Sequence, residues 1–173
     1  VMGWAGETPL SAGRVKSPLD ELTSNLPCDF FVMKDRGFDP SNVLVPTAGG
    51  YSSDLSAEIA EVLLERGSDV SLLYVVDDES EQAAGEEFIA TWASEHNLAD
   101  ANRIVDTGGD VEDSITRHAE DRSMVIIGAT REGLLSRVVR GSLAFDVLND
   151  VESTVLLAER PQKRSLLERL FGE

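Results

Sequence analysis

The stretch NVLVPTAGGYSSDLSAEIAEVLLERGSDVSLLYVVDD, residues 42–78, predicts a strand, a helix and a second strand in succession. Residues 42–47 form an apolar run of strand length. Residues 69–78 form a second run that is continuous in apolar side chains, as in parallel strands buried on both faces. Between them, residues 52–67 place apolar side chains at helical spacing, and Gly67 stands where the helix would end. Two strands joined by a helix in this way are typical of a parallel α/β sheet with right-handed crossovers.

The same alternation continues along the chain to residue 160. The pattern predicts helices over residues 79–99 and 110–122, strands over 103–108, 124–129 and 153–160, and a further helix that ends near residue 149. Five strands that alternate with helices favour an open five-stranded parallel sheet with helices on both faces, a Rossmann-like α/β fold. In such sheets, ligands bind in a crevice outside the carboxyl ends of the strands.

The charge of the chain limits the classes of partner. It has 32 acidic against 15 basic residues and a formal net charge of −17, and lysine is confined to positions 16, 34 and 163. Such a surface repels phosphate backbones and anionic membranes, which argues against nucleic-acid binding. An acidic, lysine-poor composition favours a cytoplasmic protein of a halophile, because concentrated salt screens the repulsion; an ordinary acidic bacterial protein is the alternative.

Residue types that carry catalysis are sparse. Cys28 is the single cysteine, and the two histidines, His96 and His118, fall in charged helical patterns that predict surface positions. Neither a nucleophile–base pair nor a zinc site is indicated, so we expect no enzymatic activity. No apolar stretch approaches the ~20 residues of a membrane span. Because Met2 follows Val1, we expect a fragment of a longer protein, with any membrane part outside this chain.

The first 35 residues repeat the end of the chain at an offset of 125 positions. Residues 1–35 align with residues 126–160 without a gap, and the strand, loop, helix and strand patterns coincide. The identical pairs cluster around the loop: Gly3 with Gly128, Glu7 with Glu132, Leu10 with Leu135, Ser11 with Ser136 and Ser17 with Ser142. The opening segment is therefore interpreted as the C-terminal part of an earlier copy of the same domain.

These patterns divide the chain into four parts. Residues 1–35 are the fragment of a first domain, residues 36–41 a linker, residues 42–160 a complete domain and residues 161–173 an amphipathic tail. The tail either docks on a partner or on the same domain, or it is a frayed terminus. A strand–helix–strand fragment has too small a core to stand alone, so we expect it to pack on the complete domain or on a second chain.

The strand order, the ending VPTAGG of the first strand and the ending IIGA of the fourth resemble the universal stress protein family. Nucleotide-binding members of that family carry the pattern Gly-x2-Gly-x9-Gly-(Ser/Thr) after the fourth strand. The residues at those positions are Gly128, Arg131, Gly141 and Ser142 in the complete domain and Gly3, Gly6, Lys16 and Ser17 in the opening copy. Tandem acidic domains of this type are also similar to the cytoplasmic C-terminal region of archaeal amino-acid permeases.

The resemblance implies that ATP or AMP binds at the glycine loop after the fourth strand, with Mg²⁺ accompanying ATP. Glycine at a strand end allows a close approach of the backbone, and the N-terminus of the next helix favours a phosphate. The candidate nucleotide-binding residues are Pro46, Thr47, Ala48, Val75, Ile127, Gly128, Arg131, Gly141, Ser142 and Leu143. Asp77 and Asp78, at the end of the second strand, could bind Mg²⁺, but two adjacent carboxylates at a strand end are usually solvated, so no residue is assigned as a metal ligand.

Two departures from the family pattern leave the function open. Ala48 stands where nucleotide-binding relatives commonly have an aspartate that helps to hold the adenine or ribose end. Arg131 replaces a glycine, and it either blocks the approach of the backbone or supplies a guanidinium fork to the phosphates. One hypothesis is a regulatory nucleotide-binding domain in the cytoplasmic part of a larger protein, such as an amino-acid transporter. The alternative is a dimerisation or interaction module with a degenerate pocket.

The resemblance also implies an interaction through the last strands, because relatives commonly dimerise there. Residues 28–34 are then expected to lie antiparallel to residues 153–160, where they would extend the sheet and cover its edge. We expect either a homodimer or a pairing of tandem domains through these strands.

Overall fold

A computed structural model describes residues 1–3, 28–128 and 151–160 of the chain. Its strands are β1 (Met2–Gly3), β2 (Phe30–Lys34), β3 (Asn42–Pro46), β4 (Asp69–Val75), β5 (Asn102–Asp106), β6 (Met124–Gly128) and β7 (Thr154–Glu159). Its helices are α1 (Tyr51–Glu65), α2 (Gln82–Glu95) and α3 (Val111–Ala119), with a short 3₁₀ turn at Glu79–Glu81. The predicted helix before residue 149, the helix of the opening fragment and the tail 161–173 lie outside the described residues.

The described strands form one sheet in the order β1-β2-β7-β6-β3-β4-β5. Neighbouring strands are parallel except β2 and β7, which run antiparallel. The predicted α/β class is confirmed. Within the described ranges the sheet is wider than the five strands predicted for the complete domain, because β1 and β2 extend it past β7. The order of the strands reverses between β3 and β6, which are neighbours in space but distant in sequence.

Helices cover both faces of this sheet. Leu72 and Ile126 belong to a buried cluster that packs against α1 and α2, whereas Leu73 and Ile127 belong to a second cluster that packs against α3. Successive strand residues thus point to opposite faces, and both faces are buried, which explains the continuous apolar run in β4. Within the described ranges, no helix combines the length and the apolar character that crossing a bilayer requires.

The opening fragment docks on the complete domain through β2. Residues 30–34 pair one by one with residues 159–155 of β7, which is the antiparallel arrangement expected for these segments. Phe30 and Val32 are buried on one face of the sheet. The edge of β7 is therefore covered by a strand from the same chain.

The linker is held against the start of β7. The hydroxyl oxygen of Thr154 accepts the N–H of Arg36 at 3.1 Å, and the hydroxyl donates to the carbonyl oxygen of Gly37 at 3.3 Å. Nearby, the ammonium group of Lys34, which is buried, donates to the carbonyl oxygen of Val151 at 3.0 Å. Hydrogen bonds thus hold residues 34–37 against the start of β7, although residues 35–37 are exposed.

Candidate functional site

The turn between β3 and α1 is built on two glycines. Thr47 is buried; its N–H donates to the carbonyl oxygen of Leu73 at 2.9 Å, and its hydroxyl oxygen accepts the N–H of Gly49 at 3.2 Å. Gly49 has a φ of +77°, and Gly50 has a φ of +89° with a ψ of 169°, a region that is open almost only to glycine. The sequence AGG therefore directs the chain sharply from the sheet into α1.

The N-terminus of α1 borders this turn. Gly50 is the N-cap of the helix, and it has no side chain with which to accept the N–H groups of the first turn. Ser52 and Ser53, in that first turn, are buried. An N-terminus without a side-chain cap keeps the partial positive charge of the helix dipole, which favours an anion.

β3 and β6 pair with each other only near their amino ends. In the described sheet their ladder contains two residue pairs, Val43 with Met124 and Leu44 with Val125, whereas the β3–β4 and β6–β7 ladders contain five each. The unpaired ends lie at the point where the strand order reverses. This is the position at which open α/β sheets bind ligands.

Gly128, the last residue of β6, is required by the packing of α1. A Cβ atom at this position would lie 2.6 Å from backbone atoms of Ser52 and Ser53, closer than real Cβ atoms approach. Glycine lets the first turn of α1 lie directly against β6, so this turn would form one wall of a ligand crevice at these strand ends. Because packing explains the residue, Gly128 by itself does not indicate a ligand.

Three predicted nucleotide-binding residues lie at the carboxyl ends of β3, β4 and β6. They are Pro46, Val75 and Ile127, and all three are buried. Val75 and Ile127 belong to the cluster that packs against α3. Their apolar side chains form part of the core and would also provide an apolar floor for a base placed in the crevice.

Among the described residues, the ends of β3 and β4 offer few polar side chains for a nucleotide. Ala48 is half-buried and offers no hydrogen-bond acceptor from its side chain. The carboxylate of Asp78 accepts the hydroxyl and the N–H of Ser80, and these bonds hold the pKa of Asp78 below its ordinary value. Among the residues of the described ranges, no group of three or more His, Cys, Asp or Glu side chains could hold a metal ion. A Mg²⁺ ion at Asp77 and Asp78 would therefore need most of its ligands from phosphates or water.

The remaining candidates of the glycine loop, Arg131, Gly141, Ser142 and Leu143, lie in the segment 129–150, outside the described residues. Their assignment to a phosphate site therefore stays a prediction from the family pattern. Within the described residues the loop is represented by Gly128 alone.

Sequence reasoning missed a polar cluster at the end of β5. Asp106 accepts a hydrogen bond from the Arg117 guanidinium, lies 2.8 Å from Nε2 of His118 and accepts the N–H of Gly108 at 2.9 Å. Burial acts to raise the pKa of Asp106, but the hydrogen bonds from Gly108, Arg117 and His118 outweigh it and lower the pKa to about 2. These contacts fasten α3 to β5. The signal available in the sequence was an aspartate at a strand end with an Arg–His pair on the next helix.

The two histidines differ from the surface positions predicted for them. His118 lies in the cluster at β5 and is 27% exposed at its side chain, and His96 is 22% exposed. Nε2 of His96 lies 3.3 Å from Asp54, and its ring centroid lies 4.7 Å from that of Trp92. Both histidines thus contribute to contacts between elements, which helical periodicity alone does not reveal.

Comparisons with known proteins agree with this architecture. A model described as the universal stress protein family matches residues 40–159. No curated protein matches the chain. The crystal structure of a universal stress protein from Archaeoglobus fulgidus DSM 4304 is similar with a TM-score of 0.55 and 15% identity, over 78% of this chain and 51% of that one. This chain thus spans about half the length of that structure.

Two further solved structures are relevant to the site and to its context. The universal stress protein from Archaeoglobus fulgidus in complex with dAMP has a TM-score of 0.50 and 19% identity, over 68% of this chain and 96% of that one. The cytoplasmic domain of a prokaryotic cation chloride cotransporter has a TM-score of 0.50 and 13% identity, over 75% of this chain and 52% of that one. At these identities the similarity shows a shared fold.

Proposed function

Because the chain belongs to the universal stress protein family, we propose that it is a regulatory domain that binds an adenine nucleotide in the crevice between β3 and β6. The observation that carries this proposal is the end of the β3–β6 ladder after two residue pairs, at the reversal of strand order. The two-glycine turn and the N-terminus of α1 border the same crevice. The solved relative in complex with dAMP supports this class of ligand.

The described residues offer more contacts for the base of a nucleotide than for its phosphates. Pro46, Val75 and Ile127 would support the base by apolar contact, and the hydroxyl of Thr47 lies at the same strand ends. The phosphates would lie toward the end of β6, where the family pattern adds Arg131, Gly141, Ser142 and Leu143. AMP would need no metal, whereas ATP would bring Mg²⁺ toward Asp77 and Asp78. In the proposed role, binding of the nucleotide is itself the regulatory signal, and the chain performs no catalytic step.

Calorimetric titration in concentrated salt tests the proposal with AMP, dAMP, ATP, and ATP with Mg²⁺. We expect binding below millimolar ligand. Ala48→Asp should tighten AMP binding about tenfold, because a carboxylate would accept a ribose hydroxyl. Ala83→Asp, the same substitution at an exposed position of α2, is the matched control and should leave the affinity unchanged. No binding of any of the four ligands at millimolar concentration would contradict the proposal.

A second role, as an interaction module, is favoured by the registers of the outer strands. Met2 and Gly3 of β1 lie opposite Val32 and Met33 of β2. Residues 127 and 128 of β6 lie opposite residues 157 and 158 of β7. Each residue of the first pair of strands corresponds to one of the second at the repeat offset of 125. This supports the interpretation of residues 1–35 as the end of another copy of the domain.

The β2–β7 ladder is consistent with a local two-fold axis. Val32, in the middle of β2, lies opposite Leu157, its own equivalent at the offset of 125. In an isologous antiparallel pair, the residue nearest the axis meets its own counterpart. We therefore propose a pairing of tandem domains through their last strands. Because β2 covers β7, a homodimer through the same strand edge would require release of the opening fragment.

A disulfide cross-link tests this register. In a Cys28→Ser background, Val32→Cys with Leu157→Cys should oxidise readily, because directly opposite strand residues are within disulfide reach. Val32→Cys with Leu156→Cys is the matched control, because Leu156 points to the other face of the sheet, and it should oxidise poorly. A cross-link between two chains would favour the homodimer over the pairing within one chain. If Val32→Cys with Leu157→Cys forms no cross-link, both arrangements are contradicted.

We also propose that the domain belongs to the cytoplasmic part of a larger protein, such as a transporter. The solved cytoplasmic domain of a cation chloride cotransporter with a similar fold supports this context. The residues encoded upstream of Val1 test it directly. Several apolar stretches of about 20 residues each would agree with the proposal, and a soluble sequence would contradict it.

A further inference from the structure

Arg160, directly after β7, joins three segments of the chain. Its guanidinium donates to the carboxylate of Asp29 at 3.0 and 3.1 Å and to the two carboxylate oxygens of Glu58 at 2.8 and 3.0 Å. Asp29 directly precedes β2, and Glu58 lies on α1. One side chain thus bridges the opening fragment and α1 by ion pairs, beside the apolar packing of Phe31 and Met33 on the cluster that includes Ala57 and Ala60.

The backbone of Arg160 makes a further contact with α1. Its N–H donates to the hydroxyl oxygen of Ser52 at 3.2 Å, in the first turn of the helix. Ser52 is fully buried, and the backbone of the same turn lies against Gly128. The first turn of α1 is therefore held between the ends of β6 and β7, and it is the turn that would form a wall of the proposed crevice.

We propose that Arg160 couples the docking of the opening fragment to the position of this crevice wall. While β2 is docked, Asp29 and Glu58 hold the guanidinium, and the N–H of the same residue holds Ser52. Release of β2 is a local opening at the outer part of the sheet, and it removes Asp29 from the contact. The docked fragment and the ordered wall therefore stabilise each other.

A ligand in the crevice would then be linked to the fragment. Thermodynamic linkage requires that a ligand bound against the wall strengthens docking by the same factor by which docking strengthens binding of the ligand. This step rests on the proposed nucleotide site, whereas the link between the fragment and the wall does not. The two parts are tested separately.

Amide NMR of the full chain tests the link without a ligand. Asp29→Asn should raise the exchange rates of the β2 amide protons roughly two- to fivefold, in keeping with the loss of one exposed ion pair. It should also shift the amide resonances of Ser53 and Gly128. Glu61→Gln neutralises a carboxylate of the same helix that accepts a hydrogen bond from Asn97, and as the matched control it should leave both regions unchanged.

The variant Ser52→Ala tests whether the effect of β2 release reaches the first turn of α1 through the Ser52 hydroxyl. In this background Asp29→Asn should still loosen β2 but should no longer shift the amides of Ser53 and Gly128. The coupling is wrong if Asp29→Asn loosens β2 of the otherwise unchanged chain without moving these two amides. It is also wrong if they move equally with and without the Ser52 hydroxyl.

Saturating AMP tests the link to the ligand. AMP should slow exchange of the β2 amides roughly two- to fivefold in the unmodified chain and not in Ser52→Ala. If AMP fails to bind, the proposed function is contradicted, and the ligand-free experiment still decides the coupling. If AMP binds and leaves β2 exchange unchanged, the proposed function stands and the coupling to ligand is wrong.

Discussion

The strand pairs β1–β2 and β6–β7 have the same register but different surroundings. Gly3 lies opposite Met33, and Gly128 lies opposite Ala158, at positions related by the offset of 125. A Cβ at Gly128 would collide with the first turn of α1, whereas a Cβ at Gly3 would meet no atom of the described residues within 4 Å. Strand pairing is thus a property of the two strands, while the requirement for glycine comes from the helix that covers them.

Alanine at each of the two equivalent glycines should distinguish strand pairing from helix packing. Of these predictions, Gly128→Ala should have the largest effect on stability. Gly128→Ala should lower the free energy of unfolding by about 3 kcal/mol, because the methyl group must displace helix backbone. Gly3→Ala should change it by no more than about 0.5 kcal/mol. Urea unfolding of both variants in concentrated salt measures the difference. Equal losses would mean that α1 does not distinguish the two sites.

A buried charge at the centre of the β2–β7 ladder should have the next largest effect. Val32 is 4% exposed and lies opposite Leu157, so Val32→Asp should disfavour docking of the opening fragment by about 2 kcal/mol. Limited proteolysis around residues 28–34 reports the release. Val62→Asp, at a position that is 46% exposed, is the matched control. Unchanged proteolysis in Val32→Asp would show that the fragment is not held by this ladder.

The fold was predictable because the strand and helix periodicities in the complete domain agree with each other. The ends of elements were less predictable. The strand predicted over 69–78 ends at Val75, and the helix predicted over 79–99 is divided into the 3₁₀ turn and α2. Asp78 caps this turn through Ser80, a local hydrogen bond that interrupts the pattern without changing its hydrophobicity.

The cluster at β5, which lies wholly in the complete domain, should show a smaller effect. Asp106→Asn should lower the free energy of unfolding by roughly 2 kcal/mol at neutral pH, because it removes the charge that Arg117 and His118 contact. Docking of β2 should be unaffected, since the cluster lies at the opposite edge of the sheet. Thermal unfolding together with proteolysis of the fragment measures both properties, and release of the fragment would contradict this separation.

The pH dependence of that effect follows from the lowered pKa. Because the pKa of Asp106 is about 2 in the folded chain and 3.8 ordinarily, the unfolded chain takes up the proton first as the pH falls. The stabilisation by Asp106 is present above the ordinary value and is lost as the pH falls through about 2. The difference between the unmodified chain and Asp106→Asn should therefore shrink in acid. A difference that stays constant down to about pH 2 would contradict the assigned cause.

The site was less predictable than the fold. Pro46, Val75 and Ile127 were assigned to the site from the family pattern, and this assignment stays a prediction; the sheet shows that they lie at one edge, as strand ends in one parallel sheet must. The role of Gly128 could not be read from its neighbours in sequence, because the atoms that exclude a Cβ belong to a helix more than 70 residues earlier. Arg160 was missed for the same reason, since its partners Asp29 and Glu58 are distant in the chain.

Substitutions at the two ends of the β2–β7 ladder should differ least in their effect on the free energy of unfolding. Thr154→Val keeps the shape of a fully buried side chain but removes the hydroxyl that bonds Arg36 and Gly37, so it should cost about 1 kcal/mol. Thr154→Ser retains the hydroxyl and is the matched control. Asp29→Asn, at the other end, should cost less, because its side chain is 40% exposed and solvent screens its ion pair. If Asn at position 29 costs more stability than Val at 154, the exposed ion pairs and not the buried hydroxyl hold the opening fragment in place.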